Sequence, residues 1–424
     1  MRVLIAGGGV AGLEAALALR DLAGDKVDVL VLAPEETFEV RALSVRDPFG
    51  LPRAQRHALA EIGADAGFQL AHTGLASVEP ERRIVHGDDG TQYDYDALIV
   101  AIGATPRASL PRTVTFTGPA SAEAVAGVLQ DMEEGYARRI AFVAPAGNTW
   151  PLPLYELALL TAERARSLNL DDVTITIVTP EETPLALFGP EASRAVAALL
   201  AEQDIDVLTE TFVEPGAHGP ALGVGPGQRR VGVDRVVSLP LLDGPRIPGL
   251  PADAAGFLPI DQHCRVLGIE NVWAAGDGTT FPIKQGGIAA QQADAAAQDI
   301  AALAGASIEV RPFRPLLRGI LMTASGPRWL RHAVSGGGGL SVLAEHALWW
   351  PPSKVAGHYL APYLQTREEE PAPAPEGDDG VTVEVDLHAH PPGAPHGRRR
   401  AVLADADGPG GALELLAYDT PEGS

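Results

Sequence analysis

Short apolar runs and Ala/Leu-rich stretches alternate from the first residue of the chain. The run from Met1 to Ala6 predicts a β-strand, Leu13 to Leu22 predicts a helix, and the β-branched run beginning at Val27 predicts a second strand. A strand, a helix and a strand in this order form a βαβ unit with parallel strands. The pattern therefore indicates an α/β protein.

The same pattern returns later in the chain. Residues 27–37 and 173–183 are both short β-branched runs that end in Pro-Glu-Glu-Thr, and the second follows a helix-like stretch from Tyr155 to Ala165. Chance would explain the short Pro-Glu-Glu match. The strand patterns around it favour two nucleotide-domain-like units.

A strand and a helix are predicted again from Val272 to Leu303, so the first unit is expected to be discontinuous. The segment 366–380 is rich in Glu, Asp, Pro and Ala, which cannot bury enough apolar area to offset ordering. The predicted boundaries are 1–112 with 251–310 for the first domain, 113–250 for the second, 311–365 for a C-terminal cap, and 366–424 for a linker and low-complexity tail.

Composition and charge narrow the possible partners. Of 424 residues, 46% are hydrophobic and 21% charged, and the net charge of −23 argues against nucleic acid or a generally anionic membrane surface. No stretch of about 18 apolar residues lacks charge or proline, so no transmembrane segment is expected. Because no signal-peptide pattern precedes the first strand, we expect a cytoplasmic protein, with peripheral contact at the inner face of a membrane left open.

Glycines at the first predicted strand–helix turn form a dinucleotide-binding fingerprint. Gly7, Gly9 and Gly12 occupy the three glycine places of G-x-G-x-x-G, with Val10 and Ala11 opening the helix. These glycines permit a tight turn, backbone approach to a pyrophosphate, and close packing of helix on strand. The alternative is a glycine-rich turn without a ligand.

An acidic residue is expected at the end of the second strand, where it would bind a ribose. Glu35 is the best candidate, although it lies a residue or two late; a solvated turn carboxylate is the alternative.

A second candidate site follows the strand that begins at Val272 and ends in Gly276-Asp277. The Asp277 carboxylate can accept a hydrogen bond from a sugar-like hydroxyl. The run from Pro282 to Ala293 then places Lys284 and Gly286 at the start of a helix, whose positive end would favour a reduced, anionic flavin. An exposed lysine is the alternative for Lys284.

A third motif, Ala97 to Pro106, is an apolar strand followed by Gly-x-x-Pro, and it includes Ala101, Gly103 and Pro106. Together, the three motifs resemble those of two-dinucleotide-binding-domain flavoproteins. The resemblance implies an α/β fold with two Rossmann-like (glutathione-reductase-like) dinucleotide-binding domains plus a C-terminal α/β cap, and FAD as cofactor. No cysteine lies at residues 40–50, where related flavocytochromes are expected to link the flavin, so the FAD should be non-covalent.

The Lys-Gln-Gly-Gly run resembles the branch that holds sulfide:quinone oxidoreductase, flavocytochrome c sulfide dehydrogenase and type II NADH dehydrogenase. Sulfide-oxidising members use cysteine pairs, whereas this chain has one cysteine, Cys264, which is expected to be a semi-exposed structural thiol. A cysteine-based sulfide mechanism is therefore excluded.

The second unit departs from the nicotinamide-binding pattern. Residues 140–156 lack the phosphate-binding glycines, and Pro145, Pro151 and Pro153 remove backbone donors. We therefore expect a degenerate NAD(P)-binding-like domain. Thr149, Trp150 and Tyr155 either approach the flavin or pack between the domains; the residue types do not decide between them.

The cap and tail carry weaker signals. Residues 314–330 mix apolar and basic positions, which favours an ordinary helix packed on a core over a helix on a membrane surface. His388, His390 and His396 lie in a Pro/Gly-rich tail without a rigid frame, so no metal site is predicted.

The main hypothesis is an FAD-dependent oxidoreductase that passes electrons from an unidentified small donor to a quinone or another acceptor. Two alternatives stay open: an NAD(P)H:quinone reductase with an atypical nicotinamide site, and a non-catalytic flavin-binding scaffold for a protein partner. No catalytic acid or base can be identified from the sequence, and the oligomeric state does not follow from it.

Overall fold

The computed structural model describes most of the chain. The described residues are 1–147, 149–213, 221–225, 229–323, 325–333, 341–367, 399–404 and 414–419. Contacts divide the chain into two units, Met1–Glu368 and Glu369–Ser424, and each is treated by itself.

The helices, in chain order, are α1 (Val10–Ala23), α2 (Leu59–Ala66), α3 (Ala122–Glu133), α4 (Leu152–Ser167), α5 (Pro190–Glu202), α6 (Gly286–Leu303) and α7 (Leu360–Gln365). Short 3-10 helices lie at Gly24–Lys26, Arg41–Phe49, Pro80–Arg82, Pro119–Ser121 and Ala186–Phe188. The first strands are β1 (Arg2–Ala6), β2 (Asp28–Leu32), β3 (Thr37–Glu39), β4 (Arg56–Ala58), β5 (Gln69–Ala71), β6 (Leu75–Glu79), β7 (Ile84–Gly87), β8 (Gln92–Asp94), β9 (Ala97–Val100), β10 (Thr105–Arg107), β11 (Val114–Thr115) and β12 (Arg139–Val143). The remaining strands are β13 (Thr174–Val178), β14 (Ile205–Leu208), β15 (Phe212–Val213), β16 (Ala221–Gly225), β17 (Arg229–Gly232), β18 (Arg235–Ser238), β19 (Leu241–Asp243), β20 (Val272–Ala274), β21 (Leu316–Thr323), β22 (Gly326–Ala333), β23 (Val342–Ala344), β24 (Arg399–Ala404) and β25 (Glu414–Asp419).

The first parallel sheet has the strand order β20-β9-β1-β2-β5. Its central strand β1 is apolar on both faces, and Val3, Leu4, Ile5 and Ala6 are fully buried, as a doubly covered parallel strand requires. Helices α1 and α6 share an apolar cluster with one face of this sheet. Residues of β6 and β7 join the cluster on the other face.

The second parallel sheet has the order β11-β18-β12-β13-β14. Its core includes residues of α3, α4 and α5. The repeated segments of the sequence form β2 in one sheet and β13 in the other, each beside the strand that precedes it in its unit. The chain leaves the first sheet after β9 and returns at β20, and β10 pairs antiparallel with β19 between the two. The domain boundaries given above stay predictions.

The cap contains an antiparallel sheet of order β21-β22-β23. The helix predicted for residues 314–330 is wrong, because this segment forms the β21–β22 hairpin. Leu317 and Leu321 lie on the same face of β21, because side chains alternate between the two faces of a strand. Both are fully buried in the apolar cluster that contains residues of α4. The segment therefore packs on a core, but as a strand and not as a helix. Trp329 and Trp349 pack edge to face, with ring centroids 4.4 Å apart.

Within the described residues, no helix has both the length and the apolarity to cross a membrane. The same residues contain no group of three or more histidine, cysteine or carboxylate side chains placed to hold a metal ion. His388, His390 and His396 lie outside the described residues. In the second unit, β24 pairs antiparallel with β25.

A buried polar cluster ties α6 to the first sheet. The Asp299 carboxylate, 5% exposed, accepts two hydrogen bonds of 2.6 Å from the Arg265 guanidinium and one of 2.8 Å from Trp273 Nε1. Losing this acceptor would leave three donor groups without this partner, one of them on a buried indole.

We expect Asp299→Ala to lower the free energy of unfolding by about 2–3 kcal/mol, as measured by denaturant titration. The control is Glu309→Ala, which removes an ion pair whose side chains are 76% and 79% exposed and should cost less than about 0.5 kcal/mol. Equal effects of the two variants would contradict the assignment.

Candidate cofactor and active site

The carboxyl ends of β1, β9 and β20 border one cavity of about 770 Å³. Ligands of open α/β sheets bind at this edge. Twelve of the thirteen residues predicted as cofactor-binding line this cavity: Gly7, Gly9, Val10, Ala11, Glu35, Ala101, Gly103, Pro106, Gly276, Asp277, Lys284 and Gly286. The thirteenth, Gly12, lies behind the turn.

Three glycines shape the turn between β1 and α1 for different reasons. Gly7 has φ +119°, and a Cβ there would lie 2.3 Å from the Ala101 carbonyl oxygen. A Cβ on Gly12 would lie 1.8 Å from the Gly7 carbonyl oxygen. A Cβ on Gly9 would meet no described atom within 4 Å. Packing therefore requires glycine at the first and third places, while glycine at the second leaves room in the cavity.

The N-terminus of α1 opens on this cavity. Gly9 is the N-cap, no side chain caps the helix, and no acidic residue stands in its first turn. The first N–H groups of a helix have no partner within the helix, and the helix dipole adds positive potential. This end of α1 is a suitable site for an anion such as a pyrophosphate.

The second helix end at the cavity belongs to α6, which begins at Gly286 as predicted. Gln285 caps it by accepting a 2.8 Å hydrogen bond from the Ile288 amide. Gly276, with φ +87°, donates its amide to Gln292 Oε1 at 2.7 Å, which ties the end of β20 to α6. Asp277 is thereby held at the cavity, and burial raises the pKa of its carboxyl.

Lys284 is only 6% exposed, so the alternative of an exposed lysine is wrong. Its ammonium donates to the Thr279 carbonyl oxygen and lies 4.1 Å from the centroid of the Phe257 ring. Burial lowers the pKa of Lys284 to about 8, partly offset by the charge of Asp277. The side chain therefore stays largely protonated at neutral pH and supplies a positive charge to the cavity.

Glu35 lies in the exposed turn after β2 and borders the cavity. Glu39 in β3 also lines the cavity, and its Oε2 lies 3.2 Å from Arg56 Nε in β4. Glu39 and Arg56 could not be identified from the fingerprint, because it points only to the end of the second strand. The antiparallel pairing of β3 with β4 brings them to the cavity.

A buried ion pair, which no sequence motif indicated, also lines the cavity. Glu156 in α4 is fully buried, Lys354 is 9% exposed, and Lys354 Nζ lies 2.5 Å from Glu156 Oε1. The Met322 amide donates to the same oxygen at 2.9 Å. No donor among the described residues reaches the buried Glu156 Oε2. Burial raises the pKa of Glu156 and lowers that of Lys354, and the opposite charge counteracts each shift.

The corresponding turn of the second unit is built differently. Helix α4 begins at Leu152 with Pro151 as its N-cap. Tyr155 is fully buried and donates a 2.6 Å hydrogen bond to Glu181 Oε2, so it packs away from the cavity. Glu181 is the counterpart of Glu35 in the repeat. Thr149 and Trp150, in contrast, line the cavity.

Cys264 is fully buried instead of semi-exposed, and it does not line the cavity. Burial raises the pKa of its thiol well above the ordinary range. A buried, protonated thiol is unreactive, which supports a structural role.

The packing of the glycine turn predicts effects of very different size for two matched glycine-to-alanine substitutions. Gly12→Ala should lower the free energy of unfolding by about 3 kcal/mol, because its Cβ would overlap the Gly7 carbonyl oxygen. Gly9→Ala should change it by less than about 1 kcal/mol, since φ there is −85° and space is open. Denaturant titration of both variants checks this; a larger loss in Gly9→Ala would contradict it.

The lowered pKa of Lys284 predicts that its contribution to the free energy of unfolding depends on pH. Folding lowers its pKa to about 8, from about 10.4 in an unfolded chain. Between these values the unfolded state binds more protons, so this contribution to stability rises with pH. The free energy of unfolding of wild type minus that of Lys284→Met should therefore increase from pH 8 to pH 10. A difference independent of pH would overturn the assignment.

Residues 1–298 match the model of the pyridine nucleotide-disulphide oxidoreductase family. A similar curated protein is an NADH dehydrogenase-like protein of Mycobacterium tuberculosis, 28% identical over 297 residues, which are 65% of this chain and 72% of the relative.

Two solved structures have a similar fold. The sulfide:quinone oxidoreductase of Aquifex aeolicus superposes with a TM-score of 0.73 at 18% identity, covering 81% of this chain and 87% of that one. The NAD-dependent persulfide reductase of A. fulgidus gives 0.56 at 21% identity, covering 78% and 64%. The predicted α/β fold class is confirmed, as is the prediction of an oxidoreductase of the flavoprotein type. The chain belongs to the pyridine nucleotide-disulphide oxidoreductase family.

Proposed function

We propose that this protein binds one FAD without a covalent link in the cavity described above. One observation carries the proposal: two helix N-termini and three strand ends, with glycine at each close approach, meet at a single cavity of about 770 Å³. The donor set fits the cofactor, since it offers backbone amides for a pyrophosphate and carboxylates for sugar hydroxyls.

Each predicted residue then has a role. Gly7, Gly9 and Gly12 shape the pyrophosphate site at Val10 and Ala11, and Glu35 binds the ribose, with Glu39 as a second carboxylate. Ala101, Gly103 and Pro106 form a wall beside the cofactor, Gly276 and Asp277 hold the ribityl chain, and Lys284 and Gly286 approach the flavin ring. When bound, FAD supplies the two-electron chemistry, while the chain sets orientation and electrostatics.

We infer that the second unit does not bind a nicotinamide in the usual way. In the repeat, Glu181 takes the place of the ribose-binding carboxylate, but the Tyr155 hydroxyl and Thr179 Oγ1 donate to its Oε2 at 2.6 and 3.0 Å. The turn before α4 also carries proline where an amide would be needed. Electrons would then come from a small donor that enters the FAD cavity itself.

The Glu156–Lys354 pair is the proposed proton-transfer group. Reducing a quinone to a quinol takes up two electrons and two protons, so such an acceptor needs a proton donor at the cavity for each proton that the bound cofactor does not supply. Glu156 Oε2 is buried without a donor among the described residues, and burial raises the pKa of this carboxyl. It would hold a proton for an acceptor in the cavity, while Lys354 stabilises the carboxylate left behind. Cys264 has no part in this chemistry.

The second candidate function is an NAD(P)H:quinone reductase, favoured by the M. tuberculosis relative named as NADH dehydrogenase-like. In both candidates the acceptor is a quinone or another small oxidant. A lipid-soluble quinone would require peripheral contact with a membrane surface.

Anaerobic mixing experiments separate the two candidates. NADH or NADPH should not bleach the visible flavin absorbance, because the second unit lacks a nicotinamide site; rapid bleaching would favour the reductase. Protein reduced by dithionite should be reoxidised by a water-soluble short-chain quinone, and failure with every quinone tried would contradict the proposed acceptor.

Glu156→Gln should slow this reoxidation at least tenfold, by removing the proton donor. The control, Glu163→Gln, changes a carboxylate on the same helix that does not line the cavity and should leave the rate unchanged. Equal rates in both variants would contradict the role of Glu156.

A further inference from the structure

A buried carboxyl lies where helix α1 meets the segment that carries Lys354. Glu14 in α1 is fully buried, and its two oxygens accept backbone hydrogen bonds from Tyr359 at 2.8 Å and from Leu360 at 2.7 Å. A Cβ on Gly357 would lie 2.4 Å from Glu14 Oε2. The segment therefore crosses Glu14 at van der Waals contact, three residues after Lys354.

A second carboxyl, that of Asp294, interacts electrostatically with the first. Asp294 lies in α6, its Oδ1 is buried without a donor among the described residues, and the nearby Glu14 carboxyl contributes to raising its pKa. Two carboxylates cannot share a buried site unless one is protonated. Since both Glu14 oxygens accept amides, Glu14 is the ionised partner and Asp294 holds the proton. Burial and the charge of Glu14 both raise the pKa of Asp294.

Other charged groups face the pair from each packed element. Burial raises the pKa of both carboxyls; His358 partly counteracts the rise for Glu14, and Arg318 in β21 partly counteracts it for Asp294. Asp21, on the same helix as Glu14, acts on Tyr359. These groups modify the pair, but none donates a hydrogen bond to Asp294 Oδ1.

We propose that Glu14 is a positioning residue for Lys354: it fastens the segment 354–360 to α1, and the proton shared with Asp294 keeps it fastened. Losing that proton places two negative charges in one buried site and favours release of the segment. Release would withdraw Lys354 and Val355 from the cavity, because both line it and both lie within three residues of Gly357. The contacts of Glu14 with this segment do not depend on what the cavity binds, so this inference does not rest on the proposed function.

The pH dependence has a definite sign. In the released state water reaches Asp294, so its pKa falls towards the ordinary carboxyl value of about 3.9, and release gives up a proton wherever only the fastened state still holds it. Fastening is therefore complete at acid pH and weakens as pH rises towards the raised pKa of Asp294, by up to about tenfold per unit.

Hydrogen exchange followed by mass spectrometry measures this directly on the full chain. Protection of a peptide covering 355–367, corrected for the intrinsic exchange rate, should fall by up to about tenfold per pH unit in wild type. In Asp294→Asn, which keeps a hydrogen-bonding side chain but no titratable proton, protection should not depend on pH. The same slope in both proteins would overturn the proposal.

Two further variants separate fastening from general stability. Gly357→Ala should lose at least tenfold protection in this peptide at every pH, because its Cβ meets Glu14 Oε2, while peptides of the β12–β13 sheet stay protected. Asp21→Asn removes an exposed carboxylate from the same helix and should keep the wild-type slope. Unchanged protection in Gly357→Ala would contradict the contact.

Discussion

The close contact between β1, α1 and the end of β9 is the constraint on which the rest of the site depends. Gly12 lies against the Gly7 carbonyl, and Gly7 lies against the Ala101 carbonyl, with no room for a side chain at either place. These contacts fix the direction of α1, so that its unpaired amides face the cavity. They also bring α1 beside α6, where Ala11 and Ala289 both lie near the Cβ position of Gly276.

Two pairs of buried or half-buried groups with opposite charge border the cavity. Lys284 and Asp277 lie towards one helix end, and Glu156 and Lys354 form a second pair contributed by α4 and the C-terminal segment. Burial shifts the pKa of each group towards its neutral form, and its neighbour partly restores the charge. Such an arrangement is typical of sites where charge or protons move during a reaction. Because Lys354 belongs to one of these pairs, the segment 354–360 that carries it needs a firm attachment to α1.

Local patterns were sufficient for the parts of the fold set by near neighbours in sequence. The turn at Gly7 to Gly12, the start of α6 at Gly286 and the repeated βαβ units follow from glycine placement and apolar periodicity. The helix predicted for residues 314–330 is wrong because a short run of mixed apolar and basic residues fits both the 3.6-residue period of a helix and the two-residue period of a strand. Glu156 and Lys354 are 198 residues apart, so no spacing rule connects them. Nor could any sequence pattern place Glu14 against Asp294, since their meeting depends on how α1 packs on α6.

We propose above that the cavity at the α1 N-terminus holds one FAD. The most direct measurement is a titration of flavin-free protein with FAD, in which wild type is compared with Gly9→Val. The thermal unfolding of both flavin-free proteins is measured first, to show that the variant is as stable as wild type. Wild type should bind one FAD per chain. Gly9→Val should stay folded yet bind at least a hundredfold more weakly, because its side chain projects into space that protein atoms leave open. Equal affinity in the two proteins, or no FAD binding by wild type, would contradict the account.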